Sequence, residues 1–151
     1  MTRGRLAAVI LHRMGAIALE SGDVAAAETS LLQSYSLLQG LRAARSLDAA
    51  HVLRIIGDLF FKCGDLAGAM KKYADAHKIV VDGGFATHPD AASALFRIGQ
   101  VAIAQNLFDL ASERLEEAWT IVESTGTEST TDAASTLRLL GVVLLQRGDA
   151  S

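Results

Sequence analysis

Four glycines, Gly15, Gly57, Gly99 and Gly141, stand 42 residues apart, and each closes a similar ten-residue stretch. The stretches read Leu6-Ala-Ala-Val-Ile-Leu-His-Arg-Met-Gly15, Asp48-Ala-Ala-His-Val-Leu-Arg-Ile-Ile-Gly57, Asp90-Ala-Ala-Ser-Ala-Leu-Phe-Arg-Ile-Gly99 and Asp132-Ala-Ala-Ser-Thr-Leu-Arg-Leu-Leu-Gly141. A fixed period of this size restricts a chain to repeat architectures, in which each unit buries its apolar face against its neighbours. Glycine inside a helix costs about 1 kcal/mol relative to alanine, so four of them forgo roughly 4 kcal/mol of propensity. Their recurrence implies a packing return, a close approach of two helices. Ala27, Ala69 and Ala111 recur with the same period and are read as the small residues that face them.

Within each period the pattern divides into two helices, A and B. The first helix A is expected over 6–21, broken by Ser21-Gly22-Asp23, where glycine takes a left-handed turn and aspartate caps the next helix. The first helix B follows over 24–39, with Ala27, Leu31, Ser34, Leu37 and Leu38 as its apolar stripe. The second pair spans 47–63 and 66–81 around Gly64-Asp65, with Ser46 as N-cap and Ala69, Tyr73, Ala76, Ile79 and Val80 inward. The third begins at Pro89, suited to a first helical position, and turns at Asn106-Leu107 into a helix over 108–124. The fourth helix A, 132–147, opens on Asp132, an acid that complements the helix dipole, and reaches a turn at Gly148-Asp149. The expectation is an all-α chain of about seven helices, in repeats 6–47, 48–89 and 90–131 with a partial repeat 132–151. Half the residues are hydrophobic but only 5% are aromatic, so the core has to be built from Ala, Leu, Ile and Val.

A net charge of −3 argues against a nucleic-acid platform. No stretch approaches 18 uninterrupted apolar residues, so no membrane span is expected. Leu6 to Leu19 is interrupted by His12 and Arg13 and lies in phase with the repeats, which makes it a helix of the fold rather than a signal segment. The single cysteine, Cys63, cannot form an internal disulfide and fits a reducing compartment, so a cytoplasmic location is expected. Cys63 has no evident activating base and is read as a packing residue. His12, His51, His77 and His88 show no metal-ligand spacing, and His88 is read as a helix-start residue before Pro89. Gly83-Gly84 is not followed by the Lys-Ser/Thr of a phosphate cradle. No catalytic residue, metal or cofactor is expected, and the chain is not read as an enzyme.

Ile56-Gly57, Phe60, Gly64-Asp65, Ala69, Tyr73 and Ala76 together resemble the tetratricopeptide repeat. Ile98-Gly99, Ala102, Asn106, Ala111, Leu115 and Ala118 repeat the resemblance, as do Met14-Gly15, Ala18, Gly22-Asp23, Ala27 and Leu31 with Ser34 replacing the last alanine. The usual period is about 34. The longer one here, with His88-Pro89-Asp90-Ala91-Ala92, is similar to the variant of kinesin light chains, although the paired asparagines of their helices A are replaced. The resemblance implies a right-handed α-solenoid that acts as a protein-interaction scaffold. Its concave face of helices A would bind a peptide or helix of a partner. Carried onto this sequence, the groove would be lined by His12, His51, Arg54, Asp58, Lys62, Ser93, Phe96, Gln100 and Arg138. His12, Arg54 and Arg138, with Phe96 between them, suit an acidic or carboxylate-bearing peptide. Two alternatives stand beside this: a structural, self-associating segment, or the regulatory sensor array of a larger signalling protein. The last helix carries Leu137, Leu139, Leu140, Val142, Val143, Leu144 and Leu145, more than one neighbour can cover. It is expected either to continue into further repeats of a longer array or to self-associate through 132–147.

Overall fold

The computed structural model describes residues 2–148. Seven helices occur among them, in the order α1 (Arg3–Glu20), α2 (Val24–Gly40), α3 (Leu47–Lys62), α4 (Leu66–Asp82), α5 (Pro89–Ala104), α6 (Phe108–Thr125) and α7 (Thr131–Arg147). No strand occurs among the described residues, so the chain is all-α as its periodicity predicts. Helix α1 starts earlier than expected because the Thr2 side chain caps it, accepting from the Arg5 N–H at 3.2 Å.

The connections repeat as strictly as the helices. Each A-to-B turn passes through one left-handed residue, at Gly22, Gly64 and Asn106, and Gly148 takes the same conformation at the C-cap of α7, with φ between 60° and 85°. Asp149, expected to share the last of these turns, lies outside the described residues. Asp23 and Asp65 then cap the B helices, accepting from the Ala26 and Gly68 N–H groups at 3.1 and 2.8 Å. The B-to-A connectors contain a second left-handed position, Arg42, Gly84 and Gly126, again 42 residues apart. The caps of the following A helices, Ser46, His88 and Thr130, keep the same interval. Ser46 and Thr130 use hydroxyls, whereas His88 accepts the Asp90 N–H on its Nδ1 at 3.1 Å. Pro89 occupies the first turn, where its missing N–H costs nothing.

The chain divides into two compact units, Met1–Ile79 and Val80–Ser151, the division falling inside α4. In the first unit, Ala8 of α1 and Leu31 and Leu38 of α2 form one cluster with Ala49, Val52, Ile55 and Ile56 of α3. Ser34, standing where the repeat pattern calls for alanine, is fully buried, and its hydroxyl donates to the Ala8 carbonyl at 2.6 Å. That bond ties α2 to α1 and meets the requirement that a buried hydroxyl be paired. In the second unit Leu95 and Val101 of α5, Leu115 and Ala118 of α6, and Thr136 and Val143 of α7 are buried. Two expectations about single residues are corrected here. Leu37 is exposed, because the buried stripe of α2 closes on Leu38. Cys63 is exposed at the C-cap of α3 and does not pack in the core.

The repeated glycines do mark close approach, but not to the alanines. A Cβ on Gly15 would lie 2.6 Å from Leu31 Cγ, and one on Gly57 would lie 2.5 Å from Tyr73 Cε1. One on Gly99 would lie 2.6 Å from Leu115 Cγ. Each glycine is therefore a notch that receives the large side chain of the following B helix. The alanine four residues before that side chain is fully buried and lets the backbones approach, the Ala27 carbonyl lying 3.4 Å from the Gly15 position. Gly141 has nothing within 4 Å of the same point. The two situations separate experimentally. Gly57→Ala should lose about 1–3 kcal/mol to overpacking, and Gly57→Leu more. Gly141→Ala should gain up to about 1 kcal/mol from helix propensity alone. Urea melts of the variants check both, and equal effects at the two positions would refute the notch.

Candidate interaction surface

In the first unit the expected groove residues lie on α1 and α3. Helix α3 is largely interior, with Val52, Leu53, Ile55, Ile56 and Leu59 all buried. Between them His51, Arg54 and Asp58 surface at three- and four-residue spacing and remain half-exposed, and Lys62 extends the row into solvent. This polar row is placed by default: the apolar periodicity consumes the rest of the helix.

Two members of the row are also held by the fold. The Lys62 ammonium donates at 2.9 Å to the Leu19 carbonyl in the last turn of α1, which also accepts from the Gly22 N–H at 3.1 Å. Asp58 accepts a short hydrogen bond from the Tyr73 hydroxyl, the ring of which fills the Gly57 notch. At the opposite end of the same helix pair, Arg5 Nε meets Asp48 Oδ2 at 2.6 Å. Helices α1 and α3 are thus tied at both ends by hydrogen bonds between residues 43 apart, one between side chains and one from a side chain to a backbone carbonyl.

His12 leaves the row for the interior. It is 8% exposed, its Nδ1 has no hydrogen-bond partner, and its ring meets that of His51 edge-on at 6.2 Å between centroids. Burial is the main reason its pKa lies below the ordinary histidine value of 6.5. The His51 ring lowers it further, Asp48 opposes the shift, and Arg13 and Arg54 add to it.

The second unit holds Ser93, Phe96, Gln100 and Arg138. The Ser93 hydroxyl donates to Asp132 Oδ2 at 2.9 Å, and Arg97 reaches the same oxygen at 3.3 Å, linking α5 to α7. Phe96 is buried, with the Arg97 guanidinium 5.7 Å from its ring centroid. Gln100 is half-exposed and Arg138 exposed. Arg97, Asp48, Asp132 and Tyr73 were not among the expected site residues. The recurrence of aspartate at 48, 90 and 132 was visible, but only as a first-turn acid. Its service as an anchor for the preceding A helix follows from the pairing of Arg5 with Asp48 and of Arg97 with Asp132. No group of three or more metal-binding side chains occurs among the described residues, and no helix among them is long and apolar enough to cross a membrane.

No protein-family model and no curated protein sequence matches the chain. Among solved structures, it is similar to that of BtubC (BKLC) from P. vanneervenii. The TM-score is 0.64 at 17% sequence identity, over 99% of this chain and 68% of that one. At that identity the likeness speaks for the fold alone, and it supports a helical repeat fold of the tetratricopeptide type.

The buried His12 has a consequence for stability. Its folded pKa is lowered, so between that value and 6.5 the unfolded chain binds a proton that the folded chain refuses. The contribution of neutral His12 is complete above pH 6.5 and is lost as pH falls through the folded value. Urea midpoints measured from pH 7.5 down to 5 should therefore drop more steeply for the native chain than for His12→Leu. Parallel profiles would remove His12 as a source of acid sensitivity.

Proposed function

We propose that this chain is a protein-interaction scaffold whose A-type helices, α1 and α3 in the first unit and α5 and α7 in the second, offer side chains to a peptide or helix of a partner protein. The observation that carries the reading is the polar row on α3. A helix with eight buried residues leaves His51, Arg54 and Asp58 half-exposed at three- and four-residue spacing, as one polar row within reach of a partner. Helical repeat arrays serve binding in general, because stacked equivalent helices offer equivalent side chains at regular intervals. The 42-residue period runs through the sequence of both units, which supports reading 6–47, 48–89, 90–131 and 132–151 as one array of the long-repeat type found in kinesin light chains.

The partner chemistry follows from which side chains remain accessible. Arg54 in the first unit and Arg138 in the second are the cations best placed to take carboxylates, and arginine can grip a carboxylate with two parallel hydrogen bonds. His51 and Gln100 add neutral hydrogen-bonding groups. Phe96 supports the surface from below, and Asp58, Lys62 and Ser93 position its helices through the bonds they make. An acidic peptide, or one ending in a free carboxylate, is the partner these groups recognise. The single cysteine suits a reducing compartment such as the cytoplasm.

A peptide array probed with the native chain and with the Arg54→Glu/Arg138→Glu variant tests this, with circular dichroism confirming that both are folded. Acidic peptides should be captured by the native chain and lose roughly tenfold or more in affinity with the variant, the scale of a lost charge-assisted contact. Peptides retained equally by both would rule out Arg54 and Arg138 as recognition elements.

A further inference from the structure

Between the two ties that join α1 to α3, Arg5 on Asp48 and Lys62 on the Leu19 carbonyl, the helices meet through two histidines. The rings of His12 and His51 lie edge-on, 6.2 Å apart between centroids. Both ties use a long side chain standing in solvent, and exposed pairs of that kind contribute little. The ring contact is the buried part of the joint.

His12 sits there in a form that admits no second proton. A neutral imidazole has one N–H and one lone pair, whereas an imidazolium donates from both nitrogens. Nδ1 of His12 is enclosed and has no hydrogen-bond partner, so the charged ring would bury a donor without an acceptor. Burial is the first obstacle to a charge on this ring, and His51 is the second. Arg13 on its own helix and Arg54 on α3 add to it. Asp48 alone opposes them, and its carboxylate already receives Arg5. On α2, the other helix packed against α1, the ionisable side chains are Glu28 and Tyr35, and neither is among the groups that act on His12.

The architecture does not require histidines at this contact. Two periods on, the equivalent pair is Phe96 and Ser135, an apolar ring that is buried and a hydroxyl that carries no charge. We propose that the His12–His51 contact is an acid-sensitive joint, which holds α1 against α3 at neutral pH and lets the two helices part when His12 takes a proton. The closed joint refuses a proton that the parted one accepts. Its closure is therefore complete above pH 6.5 and is lost as pH falls through the lowered value of His12. The row of His51, Arg54 and Asp58 stands at this joint, so the surface beside it follows the same protonation. The inference rests on the α1/α3 geometry and not on the peptide-binding reading.

Amide hydrogen exchange of the native chain, read residue by residue by NMR as protection factors at pH 7.5 and pH 5, provides the test. Amides 50–56 of α3 should lose roughly tenfold or more of their protection on acidification, the effect of one linked proton over about one pH unit. Amides 27–31 of α2, which pack at the Gly15 notch, should keep theirs. The His12→Phe/His51→Ser variant copies the pair of the second unit, so it should fold as judged by circular dichroism and show no loss in 50–56. In His51→Ser the His12 ring resonance should titrate at a higher pH than in the native chain. Unchanged protection of 50–56 in the native chain overturns the inference. A loss shared equally by 27–31 does so too, since it would mean unfolding of the unit and not a parting of two helices. So does an equal loss in the double variant, or a His12 titration that His51→Ser leaves in place.

Discussion

The packing of a large side chain into a helical glycine organises each repeat. Leu31 over Gly15, Tyr73 over Gly57 and Leu115 over Gly99 fix how closely a B helix lies on its A helix, and each contact fixes the register of the pair. The cost is about 1 kcal/mol of helix propensity per glycine, offset by burying a side chain worth roughly 1.5–3 kcal/mol. Tyr73 extends the device. Its ring occupies the notch and its hydroxyl reaches Asp58, so one side chain joins the hydrophobic contact to the polar row next to it. Position of the core and position of the surface groups are then not independent.

The periodic part of this architecture was legible in the sequence because it depends on local chemistry. Left-handed turns need glycine or asparagine, and Gly22, Gly64, Asn106 and Gly148 supply them in phase. Ser46, His88-Pro89 and Asp132 were readable as helix starts, whereas Thr130, whose hydroxyl caps α7, read only as connector. Arg42 shows where that legibility ends. It adopts φ 57°, the conformation that glycine takes at 84 and 126, so the backbone of the repeat overrides the preference of the residue. The glycines themselves were readable as close-approach sites, but their partners were assigned to alanine. Periodicity gives which face a residue shares and not how far a side chain reaches across it.

The candidate surface was less legible for the same reason. Spacing places His12, Arg54, Phe96 and Arg138 in equivalent positions, yet His12 and Phe96 are buried while Arg138 is exposed. Equivalent backbone positions acquire different surroundings because the neighbours of each helix differ. Long polar side chains add a further choice, since a lysine on a helix surface can serve a ligand or a carbonyl at a helix end. Lys62 serves the Leu19 carbonyl, and Ser93 serves Asp132. Such bonds are modest, a hydrogen bond contributing about 0.5–1.5 kcal/mol, so they orient helices without preventing a partner from competing for the same groups.

In a repeat array stability is close to a sum of repeat terms and nearest-neighbour interfaces, and the terms differ between α7 and the inner helices. Gly141 carries the propensity cost of the inner glycines without their return, because no side chain enters its notch. Leu137 likewise exposes surface that its equivalents Leu53 and Leu95 keep from water. The rule that builds the interior, a large side chain over each glycine, therefore also specifies what α7 lacks: an apolar side chain in register with the empty notch.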